Sequence, residues 1–328
     1  MTVWGDQRAA GHPAPRTPHP VTPSPRHPVE PFPTLTGGGV SCGGAASTLF
    51  RRICHDPNMT ANRPHSLPRI VATDLDGTLL RSDGTVSART RRALRSAEAA
   101  GAEVVFVTAR PPRYVDSMAE AAGHEGIAIC CNGAIVYDVP GRLFLDSRLL
   151  PTAVARKAAE VLVAVLPGST IALETGRRLV SERDFGKKDF QEVIVDTAAE
   201  LWETDESIVK LLVHSTGHHA DLMMTAAHDA ALTGVEVTHS GGSGMLEISS
   251  PGVTKAGTLA LWCAARGIGA SEVVAFGDMP NDLSTLTWAG TGYAMSNAHP
   301  DVLAAAPLRA AANDDDGVAR VLEEIYGL

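Results

Sequence analysis

The sequence predicts an α/β protein: a doubly wound parallel sheet interrupted by an inserted α+β cap domain. Two observations carry this. From residue 69 onward, short apolar runs alternate with stretches of helical periodicity, the order expected of strand–helix–strand units in a parallel sheet. Between Asn132 and Lys255 the chain is far too long for one crossover connection and holds strand and helix signals of its own. The expected organisation is a Pro-rich extension at 1–68, a core built from 69–148 and 250–328, and a cap at 149–249.

The first 68 residues hold 12 of the 21 prolines and six arginines against three acids. Closely spaced proline removes backbone donors and fixes φ, so the segment sustains neither helix nor ladder. It reads as a disordered, solvated extension, with a docking ligand for a partner domain as the alternative. Met59, just upstream of the first strand, is an alternative start of translation.

Ile70 to Thr73 is an apolar run ending in charge, Ser87 caps a helix through Ala100 that Gly101 closes, and Val104 to Val107 is the second run. Pro111 opens a helix that Gly123 ends, and Ile127 to Cys131 forms the third strand. Ligands of a parallel sheet bind at the carboxyl ends of its strands, where Asp74, Thr108 and Asn132 stand.

In the insertion, Ile135 to Tyr137 and Leu143 to Leu145 flank Pro140-Gly141 as a hairpin. A helix from about Ala153 to Leu166 follows, then strands near Thr170 to Leu173, Arg178 to Ser181, Ser207 to His214, Val235 to Thr238 and Met245 to Ser249, with a helix near Ala220 to Leu232. Arg177, Arg178, Arg183, Lys187 and Lys188 form a basic stretch; Arg183 and Lys187 are candidates to meet a substrate, and a solvated loop is the plainer reading. His214, His218 and His219 read as a polar junction, because no cysteine is near and Asp221 is the one close acid. Beyond the insertion, Lys255 stands near the start of a helix from about Thr254 to Arg266. Ser271 to Phe276 is a strand that runs into Gly277-Asp278-Met279-Pro280-Asn281-Asp282, and Asp314 to Asp316 lead acidically into the last helix.

Asp-Gly-Thr occurs twice, at 76–78 and 83–85. Asp74 and Asp76 leave a buried strand at the ligand crevice, whereas Asp83-Gly84 sits among polar neighbours and reads as a turn. Two carboxylates at i, i+2 repel if ionised and dry, so they require a cation, a shared proton or solvent. A second acidic strand end at Asp278 and Asp282, one lysine and Thr108-Ala109-Arg110 complete a coherent phosphate-and-metal pocket, and hard oxygen ligands favour Mg2+.

Asp74-Leu75-Asp76-Gly77-Thr78-Leu79-Leu80, Thr108-Ala109-Arg110-Pro111, Lys255 and Gly277-Asp278-Met279-Pro280-Asn281-Asp282 resemble the four ordered motifs of the haloacid dehalogenase-like phosphatases, Cof-type branch. Asn132-Gly133-Ala134, Ala294-Met295-Ser296-Asn297-Ala298 and Asp316-Gly317-Val318-Ala319 agree with it, and the likeness covers 69–328. It implies a Rossmann-like core under a C2-type cap that selects substrates. It further implies that Asp74 attacks phosphorus to form an aspartyl-phosphate, and that Asp76 is general acid and then base. Thr108 and Ala109 with Lys255 would hold the phosphoryl group. The carboxylates of Asp74 and Asp278 with the carbonyl of Asp76 would hold Mg2+. Asp282, Asn281 and Asn132 would support the site. Ala109 departs from the glycine common there, which is tolerable if φ is not positive. Asp76 can hand over a proton near neutral pH only if partly buried beside Asp74. Arg110 would face phosphate or cap, or form a surface ion pair.

The rest of the composition bounds the function. A net charge of -9 opposes nucleic-acid binding, and the resemblance implies a small phosphorylated metabolite as partner, with no obligate protein partner evident. No apolar run reaches 18 residues and the N-terminus lacks a secretory pattern, so a cytoplasmic protein without membrane contact is expected. Five cysteines, none spaced C-x-x-C, suggest reduced structural thiols. A phosphotransferase or mutase of the same fold is the alternative function, and a non-catalytic phosphate sensor is another.

Overall fold

The computed structural model describes residues 67–186, 189, 191–241 and 244–327. The expectations for the Pro-rich extension, for Met59 and for Lys187 therefore fall outside the described residues, save for Leu67 and Pro68. In chain order the first elements are β1 (Ile70–Thr73), α1 (Ala88–Ala99), β2 (Glu103–Val107), α2 (Pro112–Ala122), β3 (Ile127–Cys130), β4 (Ile135–Asp138) and β5 (Leu143–Ser147). The insertion supplies α3 (Thr152–Val165), β6 (Thr170–Glu174), β7 (Leu179–Glu182), β8 (Glu192–Val195), α4 (Ala198–Leu201), β9 (Lys210–His214), α5 (Ala220–Asp229), β10 (Glu236–Thr238) and β11 (Met245–Ser249). The chain then returns through α6 (Lys255–Ala264), β12 (Val273–Gly277), α7 (Leu283–Trp288), β13 (Thr291–Met295), α8 (Pro300–Ala305), β14 (Leu308–Ala310) and α9 (Gly317–Tyr326).

The core sheet has eight strands in the order β14-β13-β12-β1-β2-β3-β4-β5, parallel from β14 to β3. From β1 the chain winds outward one way through β2 and β3, and after the insertion the other way through β12, β13 and β14. The strand order thus reverses between β1 and β12, and that switch point is where open α/β sheets bind ligands. The helix ends behave as the sequence predicts: the Ser87 side chain accepts from Thr90 N–H, and Gly123 closes α2 in the left-handed region at φ 69°.

The 135–147 hairpin, which follows Asn132 but lies within the 69–148 bounds expected of the core, extends the core sheet: β4 pairs antiparallel with β3, and β5 antiparallel with β4. The reason is burial. Ile135, Val136 and Tyr137 are all nearly inaccessible, so β4 is apolar on both faces and must be covered as a core strand. A tight turn through Cys131, Asn132 and Gly133, with φ of 52°, 56° and 103°, reverses the chain directly from β3 into β4.

The second sheet runs β10-β11-β9-β6-β7-β8, antiparallel except for the β7–β8 pair. Side chains alternate across it. Ile171, Leu173, Leu211, Val213, Leu246 and Ile248 pack with α3 and α5 residues such as Leu162 and Met223. The intervening Ala172, Glu174, Lys210, Leu212, Met245 and Glu247 lie on the opposite face. β8 and the one-turn α4 were not foreseen, and α5 stops at Asp229 because Ala231 turns left-handed at φ 50°. Cys130, Cys131 and Cys263 are buried free thiols. Among the described residues no helix is long and apolar enough to cross a membrane.

Candidate active site

Parallel pairing of β1 with β12 puts their carboxyl ends side by side, so Asp74 and Asp278 meet although 204 residues separate them. Asp74, Asp278 and Asp282 each offer a carboxylate oxygen within 4.8 Å of the others, and all three are buried. Lys255, the first residue of α6, is itself buried and bridges Asp74 Oδ1 at 2.8 Å and Asp282 Oδ1 at 2.7 Å. The α6 start is fixed by Thr254, whose side chain accepts from Gly257 N–H, and by the 131–133 turn pressed against it: Thr258 donates to the carbonyl of Gly133. A Cβ on Gly133 would stand 2.3 Å from the Thr254 carbonyl oxygen, so glycine is required there.

Burial pushes the Asp74 carboxyl well above its ordinary range; Lys255 opposes the rise and Asp282 and Asp278 add to it. Burial and then Asp282 push Asp278 up to about 7, against a hydrogen bond from Thr78 Oγ1 at 2.7 Å. Burial would draw Lys255 down, but Asp282 and Asp74 outweigh it and keep the ammonium charged. Asp282 has its oxygens committed: Oδ1 to Lys255, and Oδ2 to the backbone N–H groups of Asp278 at 3.2 Å and Met279 at 3.0 Å. Three buried carboxylates against one lysine leave an excess of negative charge, and their donor set is all oxygen. That chemistry fits a hard divalent cation, with Asp74 and Asp278 the carboxylates left to face it. Gly77, at φ 74°, lets the loop approach: a Cβ there would lie 2.3 Å from Asp278 Oδ2.

Thr108 is buried at the end of β2, and its hydroxyl accepts from Arg110 N–H at 3.1 Å. Ala109 is not among the residues with positive φ, so its methyl is accommodated. Asn132 donates to Glu247 Oε2 at 2.8 Å and accepts from Asn281 at 3.1 Å, joining the core to the second sheet. Two expectations need correction. Asp76 is only half-buried, with its side chain 51% exposed, and it does not stand free for proton transfer: Arg110, brought alongside by β2, grips both its oxygens at 2.5 and 2.6 Å. Arg183 does not reach the site either; it is 67% exposed and paired with Asp196 beyond the end of β7. The second Asp-Gly-Thr is indeed a turn, in which Asp83 Oδ1 accepts from Thr85 N–H at 2.9 Å. Asp314 and Asp316 anchor that turn through Ser82 and Arg81. His218 meets Ser215, and His219 lies 3.2 Å from Asp221 at the start of α5.

From Asp74, Thr108 and Lys255 a cavity of about 340 Å³ reaches to Leu212 and Met245 on the second sheet. A family model for haloacid dehalogenase-like hydrolases matches residues 71–322. The chain belongs to that family. It is similar to the pyridoxal phosphate phosphatase YbhA of Escherichia coli, 28% identical over 77% of this chain and 97% of the relative. It is also similar to the phosphatase YwpJ of Bacillus subtilis, 30% identical over 78% and 99%. Among solved structures, TM0651 from Thermotoga maritima superposes with a TM-score of 0.63 at 27% identity, covering 79% of this chain and 97% of that one. A haloacid dehalogenase-like hydrolase from Bacteroides thetaiotaomicron gives 0.64 at 26%, covering 79% and 99%.

Several residues of this haloacid dehalogenase-like site were given no role by the sequence reading. Thr78 steadies Asp278, and Asn297 donates to the Gly77 carbonyl at 2.8 Å, holding the loop after β1. On the cavity's far wall stand Arg113, Glu174, Asp189, Lys210 and Glu247. A signal existed for three of them: Glu174, Lys210 and Glu247 are charged residues at alternating positions of otherwise apolar strands, all on one face.

Proposed function

We propose that this chain is a magnesium-dependent phosphatase that hydrolyses the phosphate monoester of a small metabolite through an aspartyl-phosphate on Asp74. The observation that carries the reading is the convergence of Asp74, Asp278, Asp282 and Lys255 at the switch point of the core sheet, at the floor of the cavity. The carboxylates of Asp74 and Asp278 with the carbonyl of Asp76 would hold Mg2+, which when bound offsets their charge and that of a phosphate dianion.

Lys255 holds Asp74 through one oxygen, which leaves the other free to attack phosphorus. The new bond forms between that oxygen and phosphorus while the bond to the leaving oxygen breaks, and the hydroxyl of Thr108 and the Lys255 ammonium stabilise the charge carried by the transferring group. Asp76 protonates the leaving alcohol, then takes a proton from the water that attacks phosphorus and frees Asp74. In the structure Asp76 is engaged by Arg110. An arriving phosphate dianion competes for that guanidinium, drawing Arg110 onto the substrate and releasing Asp76 for proton transfer. The second sheet covers the cavity and keeps bulk water from the intermediate.

The test is release of inorganic phosphate from p-nitrophenyl phosphate with magnesium and with a chelator. The wild-type protein is expected to be active with the metal alone. Asp74→Asn is expected to lose at least about a thousandfold in turnover. An Asp74→Asn protein with normal activity removes the covalent mechanism. The phosphates for which relatives are named, pyridoxal phosphate and 5-amino-6-(5-phospho-D-ribitylamino)uracil, are the first metabolites to try.

A further inference from the structure

The far wall of the cavity carries a charge imbalance. Arg113 reaches up from α2 and is gripped by Glu174 at 2.7 Å through both nitrogens, while Asp189 accepts from the same guanidinium at 3.0 Å. The three side chains are 6%, 3% and 7% exposed. Beside them Lys210 donates to Glu247 at 2.5 Å and to the Ala109 carbonyl at 3.0 Å. The remaining capacity of Glu247 is taken by Ser240 at 2.5 Å and Asn132 at 2.8 Å, so this pair is neutral and closed. Burial would push Glu247 up, but Lys210 holds it below the usual carboxylate range, so it too is ionised. Among the described residues two cations therefore face three carboxylates, and the deficit sits at Arg113, one positive charge shared by two acids whose further donors, Gly176 N–H, Gln191 N–H and the Tyr114 hydroxyl, are neutral. Leu179, Phe185, Leu212 and Met245 make the rest of the wall apolar, so little solvent screens the excess.

We propose that this end of the cavity selects the leaving group by charge. It admits phosphate monoesters whose alcohol is neutral and rich in hydrogen-bond donors or bears an amine, with a carbon face for the apolar wall, and it turns away those bearing a second anionic group. The proposal rests on the phosphatase reading and adds the substrate class. A donor or ammonium group near Glu174 and Asp189 offsets the unshared charge, whereas a second phosphate or carboxylate is desolvated against it.

The experiment measures competition against p-nitrophenyl phosphate turnover by glucosamine 6-phosphate, glucose 6-phosphate and glucose 1,6-bisphosphate. These share a ring and a phosphorylated position, and competition is read whether or not each is itself hydrolysed. The first two are expected to compete at least about tenfold better than the bisphosphate, as one unscreened charge at cavity distances requires. Asp189→Asn removes the excess charge and leaves Arg113 paired with Glu174, so it is expected to shrink that ratio at least about threefold. The ratio within one protein is read, so a general loss of activity cancels, and Glu174→Gln stands in if Asp189→Asn does not fold. Equal competition by all three compounds, none by any of them, or an unchanged ratio in the folded variant overturns the selection. Absence of any p-nitrophenyl phosphate hydrolysis instead overturns the phosphatase reading.

Discussion

Replacing Asp278 by asparagine removes a charge that the folded chain holds at a cost, and the size of the effect follows from the site. Burial and Asp282 push the Asp278 carboxyl from 3.8 up to about 7. Below the lower value both folded and unfolded chains hold the proton. As pH rises, the unfolded chain releases it near 3.8 while the folded chain keeps it until about 7, so metal-free stability falls across that window and is level above it. Roughly three pH units at about 1.4 kcal/mol each make the full loss about 4 kcal/mol, of which about 3 kcal/mol falls between pH 5 and pH 8. The asparagine of Asp278→Asn has no such proton to lose and retains an oxygen for the Thr78 hydroxyl. In chelator the variant should therefore gain on wild type as pH rises, the difference between their midpoints widening by about 6 to 12 °C from pH 5 to pH 8. Asp74 responds to the same substitution, because Asp278 is one of the charges that raise it, so the difference reports the Asp74–Asp278 pair while more distant groups cancel. Magnesium should raise the wild-type midpoint at pH 8 and leave the variant nearly unmoved. Thermal melts at the two pH values decide it: a gap between the two proteins that is the same at pH 5 and pH 8 refutes the reasoning.

Arg110→Ala removes the partner of Asp76 and a cation at the cavity mouth; kcat/KM for p-nitrophenyl phosphate should fall about 10- to 100-fold, the worth of a charge-assisted hydrogen bond, and an unchanged value would deny Arg110 any part in holding phosphate. Gly133→Ala combines a φ of 103° with a Cβ only 2.3 Å from the Thr254 carbonyl oxygen; it should cost at least about 2 kcal/mol in urea unfolding and lower turnover, because the displaced helix begins at Lys255.

How far the site is legible in the chain depends on the residue. Asp74, Asp278 and Lys255 each carry a local signature: an apolar strand running into acids, or a threonine cap followed by lysine at a helix start. Arg113 and Asp189 carry none. Each alone resembles a surface charge, and only the approach of the second sheet to α2 reduces Arg113 to 6% exposure. Asp76 fails the other way: it belongs to the strongest motif in the chain, yet its exposure depends on where β2 delivers Arg110, which no spacing within the motif encodes.

The sequence by itself determined what is periodic and local: alternating strands and helices, their caps, the two acidic strand ends and the long insertion. Hydrophobic period, capping residues and glycine φ are properties of short stretches, so the chain declares them without folding. The tertiary structure alone decided that Arg110 holds Asp76 and that one guanidinium serves two carboxylates on the cavity wall. Those outcomes depend on distances between elements far apart along the chain, and burial, which sets both the pairing and its energy, does not exist until the sheets have come together.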